Sequence, residues 1–252
     1  MMENRDTIID IKDLAIGFGD HEVLKGVSLQ LKKSENLVVL GKSGTGKSVL
    51  IKCIVRLLNP DRGSINVLGQ DITGMKTKEL NEVRKKIGFL FQSGALYDSM
   101  TVRQNLEFPL RRIRKELSVS ERREKVIEAL ENVGLPDAID KMPSELSGGM
   151  RKRISLARTI IVDPEIMLYD EPTTGLDPIT SDEISQLIND IQHKYKTASI
   201  IITHDIECAK TVADRYMMLK EGEVYKEGLP DEFEKDEDPF IKAFFQIKNN
   251  SK

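Results

Sequence analysis

Residues 41–48 are the part of the chain whose types and spacing point most directly to chemistry. They read Gly-Lys-Ser-Gly-Thr-Gly-Lys-Ser and fit the pattern G-x-x-x-x-G-K-[ST]. The three glycines let the backbone turn its N–H groups toward an anion, and a helix N-terminus adds partial positive charge. Lys47 would reach the β- and γ-phosphates of a nucleotide, and the Ser48 hydroxyl would ligate Mg²⁺.

The flanking segments decide whether this pattern is credible. Residues 36–40 form a short apolar run that is typical of a buried parallel strand, and residues 48–58 predict a helix. A glycine-rich turn could match the pattern by chance, but a strand, a glycine loop and a helix in this order are the context that the mechanism needs. The sequence therefore predicts a nucleotide-binding site here.

Other polar residues follow predicted buried strands. Gln92, Asp170 and His204 each come at or next to the end of such a strand, and Glu171 follows Asp170 directly. Open α/β sheets bind ligands at these strand ends. Asp170 fits the Walker B acid that holds Mg²⁺, and Glu171 could act as general base on the attacking water. A lone histidine is more often structural, but at a strand end His204 could donate a hydrogen bond to a γ-phosphate or to the water.

Residues 146–150, Leu-Ser-Gly-Gly-Met, open a predicted helix without following a core strand. Taken alone, the segment is a helix cap with two glycines. Its hydroxyl and successive N–H groups would also form a second anion site, distant in sequence from the first. Two phosphate-binding sites with one phosphate-binding loop suggest that the second site serves a neighbouring molecule.

Composition limits the remaining possibilities. The 252 residues suffice for one large α/β domain, and 38 basic against 41 acidic residues argue against a nucleic-acid-binding face. Cys53 and Cys208 lack metal spacing and are expected to be buried free thiols in a reducing compartment. Residues 1–6 hold no apolar segment, so we expect no signal peptide, and no apolar run is long enough to span a membrane.

The order of predicted elements suggests one domain with an insertion. Strands are predicted near residues 7–16 and 23–31, and α/β alternation resumes after residue 147. Between them, capping boxes at Thr101 and Ser118 mark helices. We expect a nucleotide-binding core over 1–92 and 150–228, a helical subdomain over 93–149 and a helical tail over 229–252. The tail's apolar helix either packs on the core or contacts another subunit.

Together, these motifs resemble the ATPase subunit of an ABC transporter, in the family's order and over nearly the whole chain. The resemblance implies an α/β fold with a P-loop NTPase (RecA-like) core and mixed sheet, an N-terminal antiparallel β subdomain and an inserted α-helical subdomain. It also implies ATP and Mg²⁺ as cofactors and a head-to-tail homodimer with composite ATP sites. The residues expected to bind the nucleotide are Phe18, Gly41, Lys42, Ser43, Gly44, Thr45, Gly46, Lys47, Ser48, Val49, Ser147, Gly148, Gly149 and Asp177.

The resemblance assigns roles to several of these residues. Lys47, Gln92, Glu171 and His204 are expected to be catalytic, and Ser48, Gln92 and Asp170 to hold the metal. Ser147 and Gly149 would contact the γ-phosphate bound by the partner chain, and Asp177 would lie at the seam between subunits. Phe18 takes the position of the family's adenine-stacking aromatic residue. Residues 92–107 would contact a transmembrane permease, with Leu96, Tyr97 and Met100 as candidates for that contact or for core packing.

A narrower resemblance within the ABC family rests on four parts of the sequence. Met150 stands after the glycine pair, where the family usually has Gln, and the other parts are residues 94–102, 151–153 and 177–181. These are similar to the ATPase of Mla-type phospholipid transport systems, which pair it with a permease and a lipid-carrying MCE-domain protein. This implies phospholipid movement between membranes and a peripheral location on the cytoplasmic face of the inner membrane. The alternative is an importer for amino acids or another small solute. Whether a small regulatory subunit binds the tail stays open.

Overall fold

The computed structural model describes residues 6–246. Their strands are β1 (Thr7–Phe18), β2 (His21–Lys32), β3 (Asn36–Leu40), β4 (Arg62–Val67), β5 (Gln70–Asp71), β6 (Ile87–Leu90), β7 (Ile166–Asp170), β8 (Ala198–Ile202), β9 (Arg215–Lys220) and β10 (Glu223–Gly228). Their α-helices are α1 (Lys47–Ile54), α2 (Thr77–Arg84), α3 (Val102–Ile113), α4 (Val119–Asn132), α5 (Gly148–Ile160), α6 (Pro178–Tyr195), α7 (Ile206–Val212), α8 (Pro230–Glu234) and α9 (Pro239–Gln246).

These strands form two sheets. The first is antiparallel, in the order β2-β1-β4-β5. The second has the order β10-β9-β3-β8-β7-β6, in which β9, β3, β8, β7 and β6 run parallel and β10 pairs antiparallel with β9. The predicted α/β fold, with a mixed core sheet and an N-terminal antiparallel β subdomain, is confirmed.

The parallel sheet is buried on both faces. All residues of β3, β7 and β8 are buried, as expected for apolar strands that helices or a second sheet cover on each side. In β3, Val38 and Leu40 join one core cluster, whereas Leu37 and Val39 join the other. This alternation follows from the two-residue period of a strand. The apolar layers hold the carboxyl ends of β3, β6, β7 and β8 along one edge.

The first two α-helices between β6 and β7, α3 and α4, begin at the predicted capping boxes. The Thr101 hydroxyl accepts from the Gln104 N–H at 3.3 Å, and the Ser118 hydroxyl accepts from the Glu121 N–H at 3.3 Å. In turn, the Thr101 N–H donates to the Gln104 carboxamide oxygen, and the Ser118 N–H donates to the Glu121 carboxylate. Helix α5 begins within the predicted helical subdomain and continues into the range predicted for the core. The boundaries at 93–149 and 229–252 stay predictions.

Helix α1 is shorter than residues 48–58 predict. It ends at Ile54, and Arg56 adopts a left-handed conformation with φ of 51°. Arg84 of α2 donates from Nε to the Val55 carbonyl at 2.9 Å and from Nη2 to the Arg56 carbonyl at 3.0 Å. A side chain 28 positions away therefore satisfies the carbonyls that another helical turn would have used.

The described part of the tail packs on the core. Phe233 of α8 and Ile241 and Phe244 of α9 are buried in the cluster that includes Tyr216 of β9. The Phe233 ring meets the Tyr216 ring edge-on at 5.4 Å. This supports the packing interpretation for residues up to 246, while residues 247–252 of the predicted tail lie outside the described range.

Two further expectations concern the thiols and the membrane. Cys53 and Cys208 are both free and buried, as predicted. None of the helices formed by residues 6–246 combines the length and apolar character needed to cross a bilayer.

Candidate active site

A cavity of about 500 Å³ lies where β3, β6, β7 and β8 end. Four different strand-end segments contribute to it, because parallel neighbouring strands present their carboxyl ends at one edge. The lining residues are Val23, Ser43, Gly44, Gly46, Lys47, Ser48, Val49, Gln92, Glu171, Thr174 and His204. The structure therefore brings together residues that the sequence analysis assigned to phosphate binding and to catalysis.

The loop between β3 and α1 needs glycine at two positions for a steric reason. Gly46 has φ of 96°, and a Cβ there would lie 2.6 Å from a side-chain carbon of Leu24. Gly41 has φ of 154°, and its Cβ would lie 2.6 Å from the Leu219 carbonyl oxygen. Both conformations are ones that residues with a side chain rarely adopt. The loop is thus pressed against β2 and β9, with its backbone curled ahead of α1.

Lys47 is held inside this loop. It is 6% exposed, and its Nζ donates to the carbonyl oxygens of Gly41 at 2.7 Å and Lys42 at 3.0 Å. Burial lowers the pKa of Lys47, and the carboxylates of Glu171 and Asp170 oppose that shift. A cation in this setting is shielded from water, so its attraction for a phosphate oxygen is stronger than at an open surface.

Ser48 and Asp170 meet although they are 122 positions apart. The Ser48 hydroxyl donates to Asp170 Oδ1 at 2.7 Å, joining the start of α1 to the end of β7. Gln92 also lines the cavity, so the candidate metal-ligand groups are a hydroxyl, a carboxylate and a carboxamide. These hard oxygen ligands fit Mg²⁺, which keeps several waters and phosphate oxygens in its shell. Among residues 6–246, no group of three or more His, Cys, Asp or Glu side chains is placed to hold a metal.

Glu171 and His204 form a second polar pair. His204 Nδ1 lies 2.8 Å from Glu171 Oε2, which also accepts from the Thr174 hydroxyl at 3.2 Å. The Glu171 side chain is 13% exposed, whereas that of His204 is 61% exposed. Glu171 has φ of 52°, a strained conformation for a residue with a side chain, and its N–H donates to the Ile202 carbonyl at 2.9 Å. The carboxylate is therefore fixed at the cavity wall, as a general base requires.

The predicted second anion site does not join this cavity within one chain. Ser147, Gly149 and Asp177 are not among its described lining residues. The Ser147 hydroxyl accepts from the Met150 N–H at 3.2 Å, and Asp177 caps α6 by accepting from the Thr180 N–H at 3.0 Å. Helix α5 thus begins with a capped, exposed N-terminus that this chain leaves outside its own phosphate site.

Five other residues predicted to bind the nucleotide are also not among the lining residues. Phe18 is 51% exposed at the end of β1, and Gly148 lies at the start of α5 near Leu176. Gly41 and Lys42 instead face a neighbouring cavity of about 530 Å³, which the α9 rings of Phe244 and Phe245 also line. Thr45 bonds back to its own loop, with its hydroxyl donating to the Lys42 carbonyl at 2.9 Å.

Sequence reasoning missed three residues of the site. Val23 of β2 and Thr174 line the cavity, and no motif marked either one. Lys152 of α5 is 6% exposed and donates from Nζ to the Gln92 carbonyl at 2.8 Å. Its position four residues before the buried Leu156 places a lysine on the apolar face of a helix, and that signal could have found it.

A glycine-rich loop between a parallel strand and a helix, with an acid at the end of the next-but-one strand that bonds to the first turn of that helix, defines a P-loop nucleoside triphosphatase. Residues 24–174 match the family model described as "ABC transporter". The chain belongs to the ABC transporter ATP-binding family; it binds ATP and hydrolyses it.

Relatives and solved structures agree with this assignment. The probable ribonucleotide transport ATP-binding protein mkl of Mycobacterium leprae is 42% identical over 94% of this chain and 68% of its own. The intermembrane phospholipid transport system ATP-binding protein MlaF of Haemophilus influenzae is 38% identical over 95% of this chain and 90% of its own. The ATP-binding cassette MJ0796, in a dimeric post-hydrolysis state with ADP and Pi, superposes with a TM-score of 0.80 at 33% identity, covering 88% of this chain and 98% of that one.

Proposed function

We propose that the chain works as one half of a head-to-tail homodimer that closes on two ATP molecules. Each ATP would lie between residues 41–48 of one chain and residues 147–149 of the other. The observation that carries this proposal is the separation of the two anion sites: Lys47 and Ser48 line the cavity, whereas the capped N-terminus of α5 does not. A dimeric relative that holds ADP and Pi supports it.

The chemistry follows from the geometry of the cavity. Lys47 would leave its loop carbonyls and pair with the β- and γ-phosphates. Ser48, Asp170 and Gln92 would hold Mg²⁺, which when bound neutralises charge on the phosphates. Glu171 would orient and deprotonate the attacking water.

Three further residues would complete the composite site. His204, hydrogen-bonded to Glu171, would donate to the γ-phosphate or to the water. Phe18, half exposed at the end of β1, would stack on the adenine. Asp177 would lie at the seam between the two subunits, next to the N-terminus of α6 that it caps.

The energy released would drive a separate transmembrane permease that contacts residues 92–107. Tyr97 in this segment is 41% exposed, which suits such a contact. Phospholipid moved between membranes is the cargo we favour, because MlaF covers nearly the whole chain. An MCE-type lipid-binding protein would complete the system, with the ATPase peripheral on the cytoplasmic face of the inner membrane. A small solute carried by an importer is the alternative, and a relative named as a probable ribonucleotide transport protein supports a solute as cargo.

Paired variants test the composite site. Ser147→Arg blocks the second anion site and Lys47→Ala removes the phosphate cation, so each homodimer should be inactive. A mixture contains heterodimers with one intact site, and random pairing of independent sites predicts about a quarter of wild-type turnover. Ser144→Arg, at an exposed position three residues earlier, is the matched control and should keep full activity. A Ser147→Arg homodimer that hydrolyses ATP normally would refute the shared site.

The cargo needs a different experiment. The chain can be purified together with its membrane neighbours, and the bound molecules identified by mass spectrometry. Phospholipid bound to an MCE-type component supports the favoured cargo. An adjacent gene for a periplasmic solute-binding protein and a bound amino acid or nucleotide would instead establish the importer.

A further inference from the structure

One face of α5 contacts the segment of residues 92–100. Lys152, Ser155 and Arg158 recur every three residues, so they lie on the same side of the helix. Lys152 Nζ donates to the Gln92 carbonyl at 2.8 Å. Arg158 donates to the Ala95 carbonyl, and its guanidinium carbon lies 5.0 Å from the centre of the Tyr97 ring.

Ser155 packs directly against the segment at Gly94. A Cβ at Gly94 would lie 2.5 Å from the Ser155 hydroxyl oxygen, and Gly94 has φ of 77°. Only glycine allows the loop to come this near to the helix. The segment after Gln92 is therefore pressed onto α5 at three successive points.

The other end of the segment is anchored to α3. Asn105 is fully buried, and its Nδ2 donates to the carbonyls of Tyr97 at 3.1 Å and Met100 at 3.0 Å. Its Oδ1 accepts from the Tyr97 N–H at 2.8 Å. The segment is therefore held by α5 near Gln92 and by α3 near Met100.

The burial of Lys152 is costly and needs an explanation beyond packing. Lysine is rarely buried without a partner of opposite charge, and Lys152 is only 6% exposed. Its ammonium instead donates to a backbone carbonyl, that of Gln92, which lines the active-site cavity. An apolar side chain of similar length would fill the same space without the desolvation penalty.

We propose that Lys152 is a positioning residue for Gln92. Its ammonium fixes the Gln92 backbone relative to α5, so the Gln92 carboxamide is held toward the metal and the γ-phosphate. Because Ser147 caps the start of α5, the same bond would tie Gln92 of one ATP site to the segment that would complete the partner's site. This inference rests on the role proposed above for Gln92.

The test compares the full-length Lys152→Met chain with wild type. Loss of one charge-assisted hydrogen bond predicts a fall in kcat of about ten- to a hundredfold, with KM for ATP nearly unchanged because the loop around Lys47 is intact. The thermal unfolding midpoint should stay the same or rise, since a buried charge is replaced by an apolar group. Lys152→Arg, which keeps a cationic donor, should recover part of kcat.

Arg153→Met is the matched control. Arg153 lies next along α5 but faces elsewhere, donating to the Val133 carbonyl and pairing with Glu183. It should leave kcat unchanged. Should Lys152→Met not fold, Lys152→Gln, which keeps an uncharged donor, takes its place in every comparison.

A double variant distinguishes the positioning role of Lys152 from the role proposed for Gln92. If Lys152 acts through Gln92, then Lys152→Met adds little to the kcat loss of Gln92→Ala. The positioning role would be overturned if the double variant lost kcat by the product of the two single losses. It would also be overturned by wild-type kcat in Lys152→Met, or by a kcat loss that is matched by a fall in the unfolding midpoint. Wild-type kcat in Gln92→Ala would instead refute the role proposed for Gln92 itself.

Discussion

Replacing Glu171 with Gln tests the assignment of the general base, because it removes the proton acceptor and keeps the shape of the side chain. The contacts allow this exchange: the amide oxygen can take the place of Glu171 Oε2, which accepts from the Thr174 hydroxyl and lies 2.8 Å from His204 Nδ1. The backbone bond from the Glu171 N–H to the Ile202 carbonyl does not involve the side chain. We therefore expect the fold and the cavity to survive.

The size of the effect follows from the role. General-base catalysis contributes about 10²–10⁴-fold, so kcat should fall by that factor, which corresponds to about 3–5 kcal/mol in the activation barrier. ATP binding should persist, because Lys47, Ser48 and the loop glycines are unchanged. The negative charge of Glu171 raises the pKa of the buried Lys47 ammonium, and the substitution removes that charge. The phosphates of bound ATP supply negative charge next to Lys47 in its place. The variant should accumulate as an ATP-bound dimer.

Phosphate release at saturating Mg²⁺ and ATP measures turnover, a fluorescent nucleotide measures binding, and sedimentation in ATP measures the dimer. Glu165→Gln is the control: Glu165 precedes the opposite end of β7 and pairs at 3.0 Å with Lys86, where both side chains are about half exposed. It should leave turnover unchanged. Near-normal turnover in the Glu171→Gln chain would refute the assignment of the base.

Three further predictions concern the loop, a helix end and the thiols. Gly46→Ala places a Cβ 2.6 Å from a leucine carbon of β2, so titration with a fluorescent nucleotide should show lost binding. At Gly44 a Cβ meets nothing within 4 Å, so Gly44→Ala should cost only about 1–2 kcal/mol of backbone strain. Lys196 ends α6 at φ of 53°, and Lys196→Gly should raise the unfolding free energy in urea by about 0.5–1 kcal/mol; a decrease would contradict this. Burial raises the pKa of Cys53 and of Cys208 from 9.0 to about 11, so thiol labelling at pH 8 should be slow until urea unfolds the chain. The stability that these raised pKa values contribute should be lost as the pH rises from 9 toward 11.

The features predicted well from sequence are those whose cause is local. The phosphate loop needs only a contiguous run of N–H groups and glycines, so residues 41–48 could be assigned from their own pattern. The capping boxes at Thr101 and Ser118 use partners three residues away and appear as predicted. The apolar runs of β3 and β8 required burial on both faces of a sheet, and both strands are buried.

The remaining features depend on which strands and helices become neighbours, and no local pattern encodes that. Arg84 ends α1 early from 28 positions away, and it was invisible to helix periodicity. Lys152 reaches Gln92 across 60 positions because α5 packs against the end of β6. A single basic residue within a helix gives no sign of such a partner.

The sequence by itself determined the identity of the chemical groups: a phosphate loop, two adjacent acids after a strand, and a histidine after another. Only the tertiary structure decided that Ser48 meets Asp170 at 2.7 Å and that Glu171 meets His204 at 2.8 Å. The physical reason is that residue type and short-range backbone geometry are local properties, whereas the distance between two strand ends is set by the strand order of the whole sheet.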